Sequence, residues 1–160
     1  MKFCDYALPS AIIVDLKSTT KEGVIREMAR ALQRGGAFSE DSFDRVVAGY
    51  LRREELGSTG FCGIAFPTFR TDAVKGLAVA IGVSRQGVDF ECCDLNPAHV
   101  IVMFISTPES FCEYCRLIDL AGRIFKDENV VKELREARDA SEVLAILRRA
   151  DEQIGERAAK

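Results

Sequence analysis

Two arginines bracket a glycine loop in this chain. Between Glu55 and Arg70 it reads Glu-Leu-Gly-Ser-Thr-Gly-Phe-Cys-Gly-Ile-Ala-Phe-Pro-Thr-Phe-Arg, a polar loop that leads through a short apolar stretch to a proline. The loop offers backbone N–H groups and two hydroxyls, and the guanidinium groups on either side supply charge. Arg53, Gly57, Ser58, Thr59, Gly60 and Arg70 are therefore a candidate anion-binding set. The same residues also suit a tight turn joining helix to strand, and on their own they leave both readings open. Thr68, directly after Pro67, reads as a polar residue of this loop, and its hydroxyl is a weak nucleophile without an activating base.

The remaining reactive side chains form no evident constellation. His99 is the only histidine and opens the run Val100 to Ile105, where it reads as a strand-end residue satisfied by water or backbone; no triad spacing surrounds it. Six cysteines occur, at positions 4, 62, 92, 93, 112 and 115. Cys112 and Cys115 fall near one face of a helical pattern, and the adjacent Cys92 and Cys93 point apart if extended. A zinc site needs four convergent ligands, so small buried hydrophobes are the expected role and no metal is expected.

The elements that position the loop follow from periodicity. Ala11 to Leu16 reads as a buried strand. Thr19 with Glu22 forms a capping box for a helix whose inner face is Ile25, Met28, Ala29 and Leu32, and Gly35-Gly36 ends it. Ser39 starts a second helix with Phe43, Val46, Val47, Tyr50 and Leu51 on one face; its end delivers Arg53 and the loop. Leu77 to Val83 alternates as a strand, Ser84 to Gly87 supplies a turn, and Val88 to Phe90 returns. The unbroken apolar run Val100 to Ile105 is a central strand. Thr107-Pro108-Glu109 caps a long helix, Asp127 another, and Asp139 with Glu142 the last, with roughly 150–160 as a frayed tail.

This order predicts an α/β fold, a mixed sheet covered by helices, in one domain spanning 1–160. With 160 residues, 48% of them hydrophobic, one core suffices. The formal net charge of -3 gives no general attraction to nucleic acid or anionic membranes. No apolar run approaches a membrane span, and Asp5 interrupts the N-terminus where a signal peptide would be apolar, which predicts a cytoplasmic protein.

The pattern Gly-Ser-Thr-Gly, then Ile-Ala-x-Pro, then a position where histidine is usual, with an arginine nearby, resembles the active loop of type 2 IIA domains of the bacterial phosphotransferase system, the fructose, mannitol and nitrogen-regulatory group. Val14-Asp15-Leu16 through Leu32, Arg53-Glu54, Leu95-Asn96-Pro97, and Pro108 to Phe125 also resemble that family. There the histidine accepts a phosphoryl group from a phosphohistidine carrier; here the position holds Thr68. The loop is one residue shorter between Gly60 and Gly63, and the second family histidine falls on Tyr114. The resemblance implies a sandwich of the type 2 IIA kind and a regulatory or adaptor domain without a catalytic residue or cofactor. It would dock a protein partner through a surface that includes Phe61 and Phe69. A phosphocarrier with a non-standard acceptor is the alternative, and a zinc- or redox-linked sensor a third reading.

Overall fold

The computed structural model describes residues 1–160. In chain order its elements are β1 (Ala7–Ile13), α1 (Lys21–Arg34), α2 (Phe43–Glu55), β2 (Gly60–Phe61), β3 (Ile64–Ala65), β4 (Thr68–Arg70), β5 (Ala78–Val88), β6 (Ala98–Ser106), α3 (Phe111–Phe125), α4 (Glu128–Glu136) and α5 (Ala140–Ala158). They form the expected mixed sheet with helices on both faces. Its order is β1-β5-β6-β3-β2, with β4 also paired to β6. β1 lies parallel to β5, β5 antiparallel to β6, and β3 and β4 both run parallel to β6.

β6 is apolar without alternation because both of its faces are covered. Ile101, Met103 and Ile105 enter the core under α1 and α2, while Val100, Val102 and Phe104 enter the core under α3, α4 and α5. α1 buries Ile25, Met28, Ala29 and Leu32, the stripe its periodicity predicts, and Val24 besides. The chain start is tied to the far helix: the Phe3 and Cys4 amides donate to the Asp151 carboxylate at 2.8 and 2.9 Å.

Several boundaries differ from the sequence reading. The first strand begins at Ala7 and includes Pro9, which an edge strand tolerates because one side of its ladder is free. Thr20, not Thr19, caps α1, accepting from the Gly23 amide at 3.2 Å; the Thr19 carbonyl instead accepts from the Asp89 amide. Ser39 precedes a 3-10 turn over Glu40–Ser42 before α2 begins. Ser84 to Gly87 does not reverse the chain. β5 continues through it to Val88 as an irregular stretch, with the Ser84 hydroxyl accepting from the Gly87 amide. α5 runs on through Gly155 to Ala158, where the sequence suggests fraying.

Gly49 and Tyr50 carry the contact between α2 and β4. A Cβ built on Gly49 would collide with the Phe69 ring, which explains a glycine inside a helix despite its entropic cost. The Tyr50 and Phe69 rings lie 5.8 Å apart, and the buried Tyr50 hydroxyl donates to the Phe104 carbonyl at 2.7 Å. Gly49→Ala is expected to displace Phe69 and cost about 1–3 kcal/mol in urea denaturation, with Phe69→Leu in the same chain recovering much of the loss. Burial, reinforced by the neighbouring Tyr114, pushes the Tyr50 hydroxyl well above its ordinary pKa. In the unfolded chain it ionises near pH 10, so its contribution to stability is full below that pH and is lost as pH rises further. Tyr50→Phe should lower stability by about 1–3 kcal/mol at neutral pH and give a shallower alkaline decline than the parent, both measured by denaturation across pH.

Candidate functional site

α2, the loop after it, β4 and the start of α3 converge on a cleft of about 760 Å³. Arg53 reaches it from the last turn of α2, Thr59 from the loop, Thr68, Phe69 and Arg70 from β4, and Tyr114 from α3. β4 is fixed by its register on β6, Thr68 opposite Phe104 and Arg70 opposite Ser106, and the Pro67 carbonyl accepts from the Phe104 amide at 2.9 Å. Thr68 is thus held on a paired strand rather than on a free loop.

The electrostatics of the cleft are set by a carboxylate that points away from it. Glu54 is 3% exposed and accepts from the Thr59 amide at 3.0 Å and from the Thr59 hydroxyl; Lys21 lies 3.9 Å away. With its neighbouring acid occupied, Arg53 makes a single hydrogen bond, to the Gly57 carbonyl at 3.2 Å, and forms no ion pair. Arg70 sits over the Phe111 ring at 4.7 Å and is likewise without an acid, since Asp72 pairs with Arg45 at 3.2 Å. Two guanidinium groups without counter-ions on one cleft have the chemistry that an anionic oxygen group would need.

The candidate anion-binding set is only partly brought together. Arg53, Thr59 and Arg70 line the Thr68 cleft, whereas Gly57 and Ser58 face a separate hollow whose walls include Glu22, Glu54, Glu55, Asp89 and Glu91, a poor place for an anion. The Ser58 hydroxyl donates to the Phe90 carbonyl and accepts from the Gly60 amide, both at 3.1 Å, and the Thr59 hydroxyl is spent on Glu54. Gly60 is buried against Cys92. Glu54 was named in the sequence only as half of the family-like Arg53-Glu54 pair and not as part of the candidate site. Its signal was its spacing: it stands four residues after Tyr50, on the buried face of α2.

Of the other candidates only Phe69 lines the cleft. His99 Nδ1 lies 2.9 Å from the Ser84 carbonyl and the His99 amide donates to the Gly63 carbonyl, at the end of β6 remote from Thr68. Phe61 is 60% exposed, but Phe69 turns inward onto Gly49 and Tyr50, because β4 presents it to the core under α2. Of the cysteines only Cys92 is buried, and burial raises its thiol pKa; Cys62, Cys93, Cys112 and Cys115 are exposed. No three histidine, cysteine or acidic side chains are placed to share a metal ion. No helix is long and apolar enough to cross a membrane.

Comparisons with known proteins agree with this architecture. The family described as "Phosphoenolpyruvate-dependent sugar phosphotransferase system, EIIA 2" matches residues 7–150. A fructose-specific EIIABC component from Bacillus subtilis is 29% identical over 153 residues, which is 94% of this chain and 24% of that protein, so the chain spans about a quarter of that relative's length. The crystal structure of the nitrogen regulatory protein IIA-Ntr from Neisseria meningitidis superposes with a TM-score of 0.79 at 29% identity, covering 90% of this chain and 97% of that one. The Escherichia coli mannitol enzyme IIA, solved in complex with phosphorylated enzyme IIB, gives a TM-score of 0.69 at 25% identity over 86% of this chain and 94% of that one. A family match over residues 7–150, from β1 into α5, together with the superposition on a solved relative, places the chain in the type 2 EIIA family of the phosphoenolpyruvate-dependent sugar phosphotransferase system.

Proposed function

We propose that this chain is a cytoplasmic IIA-type regulatory or adaptor domain that contacts a protein partner and does not itself carry phosphate. The observation behind this reading is the chemistry of the cleft. Arg53 and Arg70 are free to meet a phosphate, yet the groups beside them are the hydroxyls of Thr68 and Tyr114 and no imidazole. A neutral imidazole is nucleophilic near pH 7 and its phosphoramidate can pass the group on; an aliphatic hydroxyl does neither without a base. His99 does not substitute. It lies five residues along β6 from the partner of Thr68, roughly 16 Å at about 3.3 Å per strand residue, and is held at the Ser84 carbonyl.

A IIA relative that was solved with a phosphorylated IIB partner supports contact with a protein. In this chain the cleft would then meet a partner's phosphate through two arginines and leave it where it is. Phe61, exposed beside the cleft, supplies an aromatic anchor of the kind frequent at interfaces, while the recessed Phe69 holds the wall.

Incubation with phosphoenolpyruvate and the general phosphotransferase proteins, read by intact mass at neutral pH, should leave the parent chain unmodified. An acid-labile, base-stable phosphoryl adduct on the parent would sink the proposal. Thr68→His is expected to fold and to gain such an adduct, because Arg53 and Arg70 remain to position the donor. Sulfate should bind the parent cleft with a Kd on the order of 10 mM, seen as saturable NMR shifts at Thr68 to Arg70, and the Arg53→Ala, Arg70→Ala double variant should lose them.

A further inference from the structure

A second groove opens beside the cleft, about 630 Å³ in volume, between the β2–β3 hairpin and the α3–α4 corner. Its floor is apolar and largely aromatic: Phe61, Ile64, Phe66, Phe125 and Val131. Phe66 is fixed edge-on against both Phe104 and Phe125, with centroids 5.7 and 5.8 Å apart, so the floor is part of a packed aromatic cluster rather than a set of loose side chains. The hairpin wall is equally defined, because the Cys62 amide donates to the Asp94 carboxylate at 2.9 Å and holds the turn in place.

The rim is cationic. Lys126, Lys132 and Arg135 line it with Glu128 as the only acid, and none of the three is in an ion pair. Of the neighbouring acids, Glu133, next to Lys132, reaches across to Arg149 on α5, while Glu128, Asp127 and Glu136 stand beside the cations in sequence without forming an ion pair. An apolar cavity of this size with convergent charge at one margin has the composition of a small-molecule site.

We propose that this groove binds a small amphipathic anion, an acidic head on an aromatic body. The body lies on the Phe61, Phe66 and Phe125 floor and the head meets Lys132 and Arg135. Charge complementarity selects an anion over a neutral or cationic ligand, and the apolar aromatic floor suits a flat ring system. Thr59 and Phe66 line this groove and the Thr68 cleft alike, so a molecule seated here touches the wall of the cleft without occupying it. The site is independent of phosphate acceptance, and it shares Phe61 with the surface proposed above to meet a protein partner.

Naphthoate and naphthol share a body and differ in charge, which makes them suitable probes for heteronuclear NMR titration of the full chain. Naphthoate is expected to bind with a Kd on the order of 100 µM, with saturable shifts confined to Phe61–Phe66 and Lys126–Arg135; naphthol should bind about 10-fold more weakly or less. Lys132→Glu with Arg135→Glu, both exposed on α4, should keep the fold by circular dichroism and weaken naphthoate about 10-fold while leaving naphthol unchanged. Equal affinities for the two probes, shifts centred away from the groove, or no saturation would overturn the assignment. So would a concentration-dependent dimer that shields the groove residues, since a second copy would then be the occupant.

Discussion

Everything in this molecule hangs on one strand being buried from both sides. β6 must be apolar on each face, and its backbone must find partners along each edge, because an unpaired buried amide or carbonyl costs as much as a lost hydrogen bond. β5 satisfies one edge in a long antiparallel ladder. The other edge is satisfied piecemeal by two short parallel segments, β3 at Val100–Ile101 and β4 at Phe104–Ser106. The link between those segments is the Phe66–Pro67 corner, so the position of Thr68 follows from the hydrogen-bond demand of the central strand. A residue that could have sat on a mobile loop is a rung of the sheet.

The loop before β2 is governed by a second, local constraint. Glu54 is buried where α2 ends, and a buried carboxylate must be paired or hydrogen-bonded. It takes the Thr59 amide and hydroxyl and lies near Lys21, which locks the polar loop and keeps this acid from pairing with Arg53. One solvation requirement thus shapes the loop and leaves a cation exposed to whatever enters the cleft.

The fold was more legible in the sequence than the site. The mixed sheet, the inner faces of α1 and α2 and the central placement of β6 all followed from hydrophobic period, because burial of a face is what that period encodes. Boundaries slipped where a local bond outweighed the pattern: Thr20 took the cap from Thr19, and Ser84 with Gly87 made an irregularity where a turn was read. Site residues were harder because composition says which groups can bind an anion and not where they point. Ser58 and Thr59 carry hydroxyls that the fold spends internally, and Phe69 follows Thr68 in sequence yet faces a helix, a consequence of the alternation of a strand that was too short to recognise. The cation-rimmed groove was invisible for a different reason: its floor joins residues from the hairpin, α3 and α4, which no linear pattern connects.

The edge strands restrict how other molecules can be recognised. β1 forms one border of the sheet, but Pro9 removes an amide from it, and its register on β5 is irregular between Ala7 and Ile12. β2 and β4 form the other border and are two and three residues long. Neither border offers the run of free amides and carbonyls that an added strand would need. Selectivity for any partner would therefore be written in side chains. Its contacts can be altered residue by residue at the surface, without disturbing the main-chain ladder that holds the domain together.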